Sequence, residues 1–194
     1  MFYRPEDGHG LPHNPFNALV TPRPIGWIST RGPLGDNLAP YSFFNAVAYV
    51  PPQVMFASTG AKDSLANLRE AGVFAVNIVG EAALKAMSDT SAALPPGTDE
   101  FLSVGVPKSE CTTIDCPRVA DAPATLECRV TRIEAMLGHD NYVIFGEVIG
   151  IRIADACLTD GRFDPGTYRP LARMGYRDYT VVRDVFEMKR PGER

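Results

Sequence analysis

Three segments of this chain combine residue types that could hold a flat, phosphate-bearing ligand. The first, Thr21-Pro-Arg-Pro-Ile-Gly-Trp-Ile-Ser-Thr30, is an apolar strand that ends in two hydroxyls. The second, Gly35-Asp-Asn-Leu-Ala-Pro-Tyr-Ser-Phe-Phe-Asn45, sets Asn37, Ser42 and Asn45 among aromatics around Pro40. The third, Ser58-Thr-Gly-Ala-Lys-Asp-Ser64, offers hydroxyls and a lysine just before a helical pattern, and a helix N-terminus favours an anion. Polar groups interleaved with a Pro-fixed backbone suit a wall that hydrogen-bonds the edge of a ring.

Each segment has a plainer reading beside the functional one. Ser58 to Ser64 could be an ordinary capped surface helix with a solvated Lys62. Ser29 and Thr30 could simply cap the turn Arg31-Gly-Pro-Leu-Gly35, and Tyr41, Phe43 and Phe44 could be core. FMN makes three demands that the segments meet together: cations, hydroxyls and N–H groups for its phosphate, apolar walls for its ring, and hydrogen bonds for the polar ring edge.

Composition narrows the setting. The chain has 194 residues, 45% hydrophobic and 22% charged, which suits one domain spanning residues 1–194. Phe16, Leu19, Val181, Val182, Val185 and Phe186 are too apolar for free tails, so residues 1–20 and 180–194 are expected to pack on the body or on a partner subunit. With a net charge of -4 and scattered Lys and Arg, nucleic acid and anionic lipid are not expected partners. No apolar run approaches a membrane span and the first ten residues lack an apolar signal region, so a cytoplasmic location is expected. Cys111, Cys116, Cys128 and Cys157 show no paired C-x-x-C spacing, which leaves free thiols. Asp160-Gly-Arg-Phe-Asp164 lacks the spacing of a calcium loop, and no metal site is expected. His9, His13 and His139 fall in predicted loops with no G-x-S-x-G elbow, which argues against nucleophilic hydrolysis.

The elements that must position these groups are mostly strands. Seventeen prolines and seventeen glycines exclude long helices over most of the chain, so the predicted fold is mainly β, a barrel with short helices. The expected strands are Ile25–Thr30, Ser42–Val47, Gln53–Ser58, Phe74–Ile78, Ala124–Met136 and Tyr142–Ile153. The last two form a hairpin closed by Gly138-His-Asp-Asn141, and the continuously apolar Tyr142–Ile153 is expected to be buried on both sides or at a subunit contact. Helices are expected at Asp63–Ala71, capped by Asp63 or Ser64 and stopped by Gly72, and at Glu81–Thr90. Residues 92–100 read as a loop entering a short helical turn capped by Thr98, and Cys111–Pro123 reads as a loop.

Pro22-Arg-Pro-Ile-Gly-Trp-Ile-Ser-Thr30, Asn37-Leu-Ala-Pro-Tyr-Ser-Phe-Phe-Asn45, Pro51-Pro52, Lys62-Asp-Ser64 with Asn67, Phe74-Ala-Val-Asn77 and Gly146-Glu-Val148 together resemble the flavin reductase-like family of FMN-binding split barrels. The resemblance implies a homodimer with FMN at the interface. It implies that Ser29, Thr30, Asn37, Leu38, Ala39 and Ser42 line the isoalloxazine and ribityl chain, with Asn45 beside them, and that Ser58, Lys62, Asp63 and Ser64 hold the phosphate. Arg23 is placed in range of the reduced flavin. Arg173 and Tyr179 either reach the partner's flavin or form a surface contact.

The implied activity is an FMN-dependent oxidoreductase in which NAD(P)H binds transiently over the ring and electrons pass to free flavin, oxygen or a small-molecule acceptor. A partner monooxygenase fed with reduced flavin belongs to the same reading. Arg152 stands near where family reductases often carry a His, and no G-x-G-x-x-G follows a strand. These departures leave a non-catalytic FMN carrier as the alternative. The split-barrel oxidases of pyridoxamine phosphate fit less well, because their basic phosphate cluster is not visible.

Overall fold

The computed structural model describes residues 1–60 and 62–192. Its strands in chain order are β1 Arg23–Pro24, β2 Gly26–Gly32, β3 Gly35–Tyr41, β4 Phe44–Tyr49, β5 Pro52–Thr59, β6 Val73–Ile78, β7 Lys108–Glu110, β8 Pro117–Val119, β9 Ala124–Ala135, β10 Asn141–Ile153, β11 Leu158–Thr159, β12 Arg162–Phe163, β13 Leu171–Gly175 and β14 Asp178–Val181. The α-helices are α1 Phe16–Leu19, α2 Asp63–Ala71, α3 Leu84–Asp89, α4 Glu100–Val104 and α5 Pro165–Tyr168. The chain is mainly β, as its Pro and Gly punctuation predicts.

Seven antiparallel strands form one sheet in the order β3-β2-β6-β9-β10-β5-β4. Its two edge strands, β3 and β4, follow one another in the chain with only Ser42 and Phe43 between them. So short a link requires the sheet to curl until its edges meet. The edges approach without pairing along their length. Tyr41 of β3 packs on Phe56 of β5 with ring centroids 4.8 Å apart, while Ala57 N–H, donating to Phe43 O at 2.8 Å, extends the β4–β5 pairing into the link. The result is a barrel split along a seam between β3 and the β4–β5 hairpin.

Hydrophobic burial fills both faces of β2. Ile28 points into the barrel with Phe44, Phe56, Leu65, Phe74 and Ile144, while Ile25 and Trp27 enter a second core with Leu38, Met87, Phe101 and Val106 outside the barrel. Trp27 is 1% exposed, and its indole N–H donates to Thr90 Oγ1 at 2.9 Å, which fastens α3 to the sheet. The four cysteines are free thiols, three of them buried.

Several expectations shift by physical cause. Gly35–Tyr41 is a strand although Pro40 lies in it, because β3 is an edge, where a missing N–H is tolerated. Expected strand Ser42–Val47 begins instead at Phe44, since Ser42 and Phe43 cross the seam. Helix α2 has the expected bounds and ends at left-handed Gly72, but neither expected cap is used: Lys62 occupies the N-cap position, and Asp63 Oδ2 accepts from Gly97 N–H at 2.7 Å. Glu81–Thr90 divides into a 3-10 turn at Glu81–Ala83 followed by α3. Asp99, not Thr98, caps α4, accepting from Leu102 N–H, while Thr98 donates to Pro95 O. Part of the expected 111–123 loop is β8, paired with β7. In β10, Ile144, Gly146 and Val148 are buried while the alternate side chains are half-exposed, so this chain by itself covers one face of the strand.

Within residues 1–20, α1 lies against β13, with Ala18 beside Gly175, while Phe16 and Leu19 are 60% and 72% exposed. In the C-terminal extension Val185 and Phe186 are also exposed. Its last two residues, Glu193 and Arg194, lie outside the described residues. Among the described residues no helix is long and apolar enough to cross a membrane.

The barrel interior leaves no room at Gly146. A Cβ there would sit 2.5 Å from Phe74 Cζ, and that ring is fully buried. Gly146→Ala is expected to destabilise by about 1–3 kcal/mol, the usual range for overpacking a close-packed core. Urea unfolding checks this, and an unchanged midpoint would contradict it.

Candidate functional site

The seam holds three neighbouring cavities of about 420, 280 and 390 Å³. The first and middle cavities share Pro40, Tyr41 and Lys62, and the middle and last share Asn17, Arg23, Ser42, Phe43 and Ala57. They form one trench, polar at the α2 end and apolar at the other, where Phe16, Val20, Phe43, Phe44, Met55 and Val143 supply the walls.

The middle of the trench is cationic. Arg23, Lys62 and Arg173 all line it, and among the described residues no Asp or Glu does. Arg23 is only 8% exposed, and burial, followed by the charge of Arg173, lowers its guanidinium pKa from the ordinary value. Its Nη1 is held by the carbonyls of Asn17 and Val20, but its Nε has no hydrogen-bond partner among the described residues. Arg173 donates to Tyr179 Oη and to Tyr176 O. Clustered cations without a counter-charge, one of them carrying an unpartnered buried donor, form a place for an anion.

Two more buried groups at this end lack ordinary hydrogen bonds: Tyr41 Oη and Ser58 Oγ. Burial pushes the Tyr41 phenol above its usual pKa, with the Ser64 and Ser58 hydroxyls pulling the other way. The Lys62 ammonium lies 5.7 Å from the centroid of the Tyr41 ring. The N-terminus of α2 carries no side-chain cap, so its first N–H groups are open to a ligand.

The wall of the polar end is built by hydrogen bonds among buried side chains. Glu100 Oε2 accepts from Asn37 Nδ2 and from Leu38 N–H, both at 2.9 Å, and Asn37 Oδ1 accepts from Ser64 Oγ at 2.6 Å. This chain ties α4, β3 and α2 together. A second network stands behind it: Asn67 Nδ2 donates to Thr30 Oγ1 and Gly35 O, and Asn77 Nδ2 donates to Trp27 O and Ser29 Oγ.

The residues expected at the site therefore divide. Arg23, Asn37, Ala39, Ser42, Asn45, Lys62, Asp63, Ser64 and Arg173 line the trench. Ser29, Thr30 and Leu38 do not line it: each is 0% exposed, Ser29 Oγ donates to Pro117 O at 2.6 Å, and Leu38 packs in the second core. Ser58 lies just behind the wall between Ala57 and Thr59, and Tyr179 stacks on Arg173 from outside. Sequence reasoning gave no individual role to Tyr41, Phe43, Asn17 or Glu100. Tyr41 and Phe43 were visible only as aromatics in a motif, and Asn17 was hidden in an N-terminal segment whose docking onto β13 is a tertiary effect. Among the described residues no group of three or more His, Cys, Asp or Glu is placed to hold a metal ion.

The family described as flavin reductase like domain matches residues 19–172, and the chain belongs to that family. An uncharacterized protein of Deinococcus radiodurans is 37% identical over 187 residues, covering 89% of this chain and 82% of its own. The solved nitrilotriacetate monooxygenase component B from Bacillus cereus is 26% identical with a TM-score of 0.89, covering 97% of this chain and 98% of its own. The Pseudomonas fluorescens 2-nitrobenzoate 2-nitroreductase NbaA is 29% identical with a TM-score of 0.83, covering 91% of this chain and 89% of its own. The fold is the split barrel of this family.

Asn37 is 4% exposed and stands between Glu100 and Ser64. Asn37→Ala removes one of the two β3 donors to Glu100 and the acceptor of the buried Ser64 hydroxyl, and is expected to cost about 1–3 kcal/mol, the penalty for unsatisfied buried polar groups. Chemical denaturation measures it, and a loss under about 0.5 kcal/mol would show that the wall does not depend on this bridge.

Proposed function

We propose that the trench binds FMN and that the protein is an NAD(P)H-dependent flavin reductase-like oxidoreductase. The observation that carries this reading is the convergence of Arg23, Lys62 and Arg173, without an acid, beside an apolar slot. The unpartnered Arg23 Nε, Tyr41 Oη and Ser58 Oγ suit a ligand rich in acceptors.

In this assignment Lys62 and Ser64, with the open N–H groups of α2, hold the phosphate, and Ser58 supports them from behind the wall. The Asp63 carboxylate is engaged by Gly97 N–H and contributes through its backbone. Ala39, Pro40, Ser42, Phe43 and Asn45 wall the ring. Asn37, Leu38, Ser29 and Thr30 act from behind, by fixing β2 and β3.

When bound, FMN supplies hydride acceptance from a nicotinamide and onward release of electrons to free flavin, oxygen or a small acceptor. The chain's own part is to bind, orient and tune. Arg23 and Arg173 place positive charge where it favours an electron-rich ring. The apolar side chains of Phe43, Phe44 and Met55 offer one end of the slot to the ring.

The rim bears on assembly. Tyr49 and Val50 at the end of edge strand β4 are 90% and 84% exposed, and Phe16 and Leu19 of α1 are similarly open. An apolar edge of this kind supports a homodimer in which the partner subunit completes the trench. Similarity to a monooxygenase component B supports a role in supplying reduced flavin to a partner oxygenase.

Lys62→Ala is expected to raise the Kd for FMN about tenfold, the equivalent of one charge-assisted hydrogen bond, and to leave the Kd for riboflavin unchanged. Fluorescence titration with the two flavins decides it. Equal loss for both, or no loss for FMN, would contradict the phosphate assignment.

A further inference from the structure

The buried carboxyl of Glu100 has an unusual position. It is 7% exposed, lines the same cavity as Lys62, Asp63 and Ser64, and among the described residues no Lys or Arg forms an ion pair with it. Both hydrogen bonds that reach it from β3, from Asn37 Nδ2 and Leu38 N–H, fall on Oε2. Oε1 receives neither. A proton on Oε1 would therefore leave the Asn37–Ser64 bridge intact.

We propose that Glu100 is a proton-linked positioning residue: its carboxyl takes up one proton from solvent as a phosphate-bearing flavin settles in the neighbouring cavity, and in doing so it keeps Asn37 and Ser64 in place. This inference rests on the flavin reading above and states how that site responds to pH. Its physical basis is electrostatic. A carboxylate without a cation partner and a phosphate in one low-dielectric wall repel, and the carboxyl is the group that can neutralise without breaking its hydrogen bonds.

The charged groups around Glu100 point the same way. Burial raises its pKa above the ordinary carboxyl value, Leu38 N–H and its own N–H oppose that, and the charges of Asp63 and Asp99 add to the rise. On the α2 side stand Lys62 and Asp63, and on the β3 side the Tyr41 phenol, itself pushed up by burial. Below it, Asp99 is paired with Lys108 at 2.7 Å, which also holds Asp36, so that lysine is spent on other acids. The 90–96 loop contributes Thr90 and Ser91 but no charge.

The sign follows by linkage. A bound anion raises the Glu100 pKa further, so the bound state holds more protons on this group and affinity weakens as pH rises through that range. The phosphate's own second ionisation, near pH 6, acts oppositely because its dianion prefers the cations. Glu100→Gln separates the two. Its amide keeps an acceptor for Asn37 and Leu38 and mimics the protonated acid.

The experiment is calorimetric titration of the full chain with FMN and with riboflavin, in buffers of different ionisation enthalpy, from pH 5 to pH 8. The expected result is greater proton uptake with FMN by wild type than by Glu100→Gln. The variant should also bind FMN up to about tenfold tighter at pH 8, with the gap closing toward pH 5, as one pKa unit of coupling gives. Riboflavin should show no difference. Within the wild type alone, uptake should be greater with FMN than riboflavin after subtracting the phosphate's own titration, which keeps the test valid if the variant folds poorly. FMN binding with equal proton counts in both proteins overturns this inference and leaves the flavin reading standing. Failure of both flavins to bind overturns the flavin reading itself.

Discussion

Two residues, Ser42 and Phe43, carry the chain from one edge of a seven-stranded sheet to the other, and most of the architecture follows from that span. A link so short forces the sheet to close on itself. Full closure would pair β3 with the β4–β5 hairpin and erase the trench. The closure stops short, since Pro40 removes a donor from edge strand β3 and Tyr41 meets Phe56 through rings, not backbone. A seam held apart by side chains, with α2 beginning at one end and β1 and α1 crossing the other, becomes a long concave feature lined by three cations.

Keeping a polar seam beside two apolar cores requires the polar groups behind it to be satisfied. Ser29, Thr30, Asn67 and Asn77 are all 0% exposed and hydrogen-bonded to one another or to backbone. Leaving any of them unpaired would cost more than its bond contributes, so these networks fix register as much as they stabilise. Among the described residues the unpartnered groups belong in contrast to the trench wall and the layer directly behind it: Arg23 Nε and Tyr41 Oη on trench-lining residues, and Ser58 Oγ just behind. Hydrogen bonds are thus satisfied in the supporting networks and left open beside the trench.

This division explains what could be read from the sequence. The long hairpin β9–β10 was legible because Leu126, Cys128 and Val130 alternate with polar residues and Gly138 marks the turn. α2 was legible from its length and from Gly72. β3 was not, because Asn37 and Pro40 lower strand propensity and its place at an edge is a property of the whole sheet. The motif hydroxyls Ser29 and Thr30 were legible as important, yet sequence cannot distinguish a group that faces a ligand from one buried a layer behind it. That distinction depends on which side of β2 each residue occupies and on distant partners such as Pro117 and Asn67. The pairing of Arg23 with Arg173 beside the trench joins residues far apart in the chain, and only the β1–β13 register brings them together.

The central claim is that the seam is a flavin site built for reduction. The most direct measurement is an anaerobic absorbance spectrum of the purified protein reconstituted with FMN, recorded before and after addition of NADH and then NADPH. The account predicts perturbed flavin bands on binding that bleach with at least one nicotinamide. Flavin bands identical to those of free FMN, with no bleaching by either donor, would contradict it.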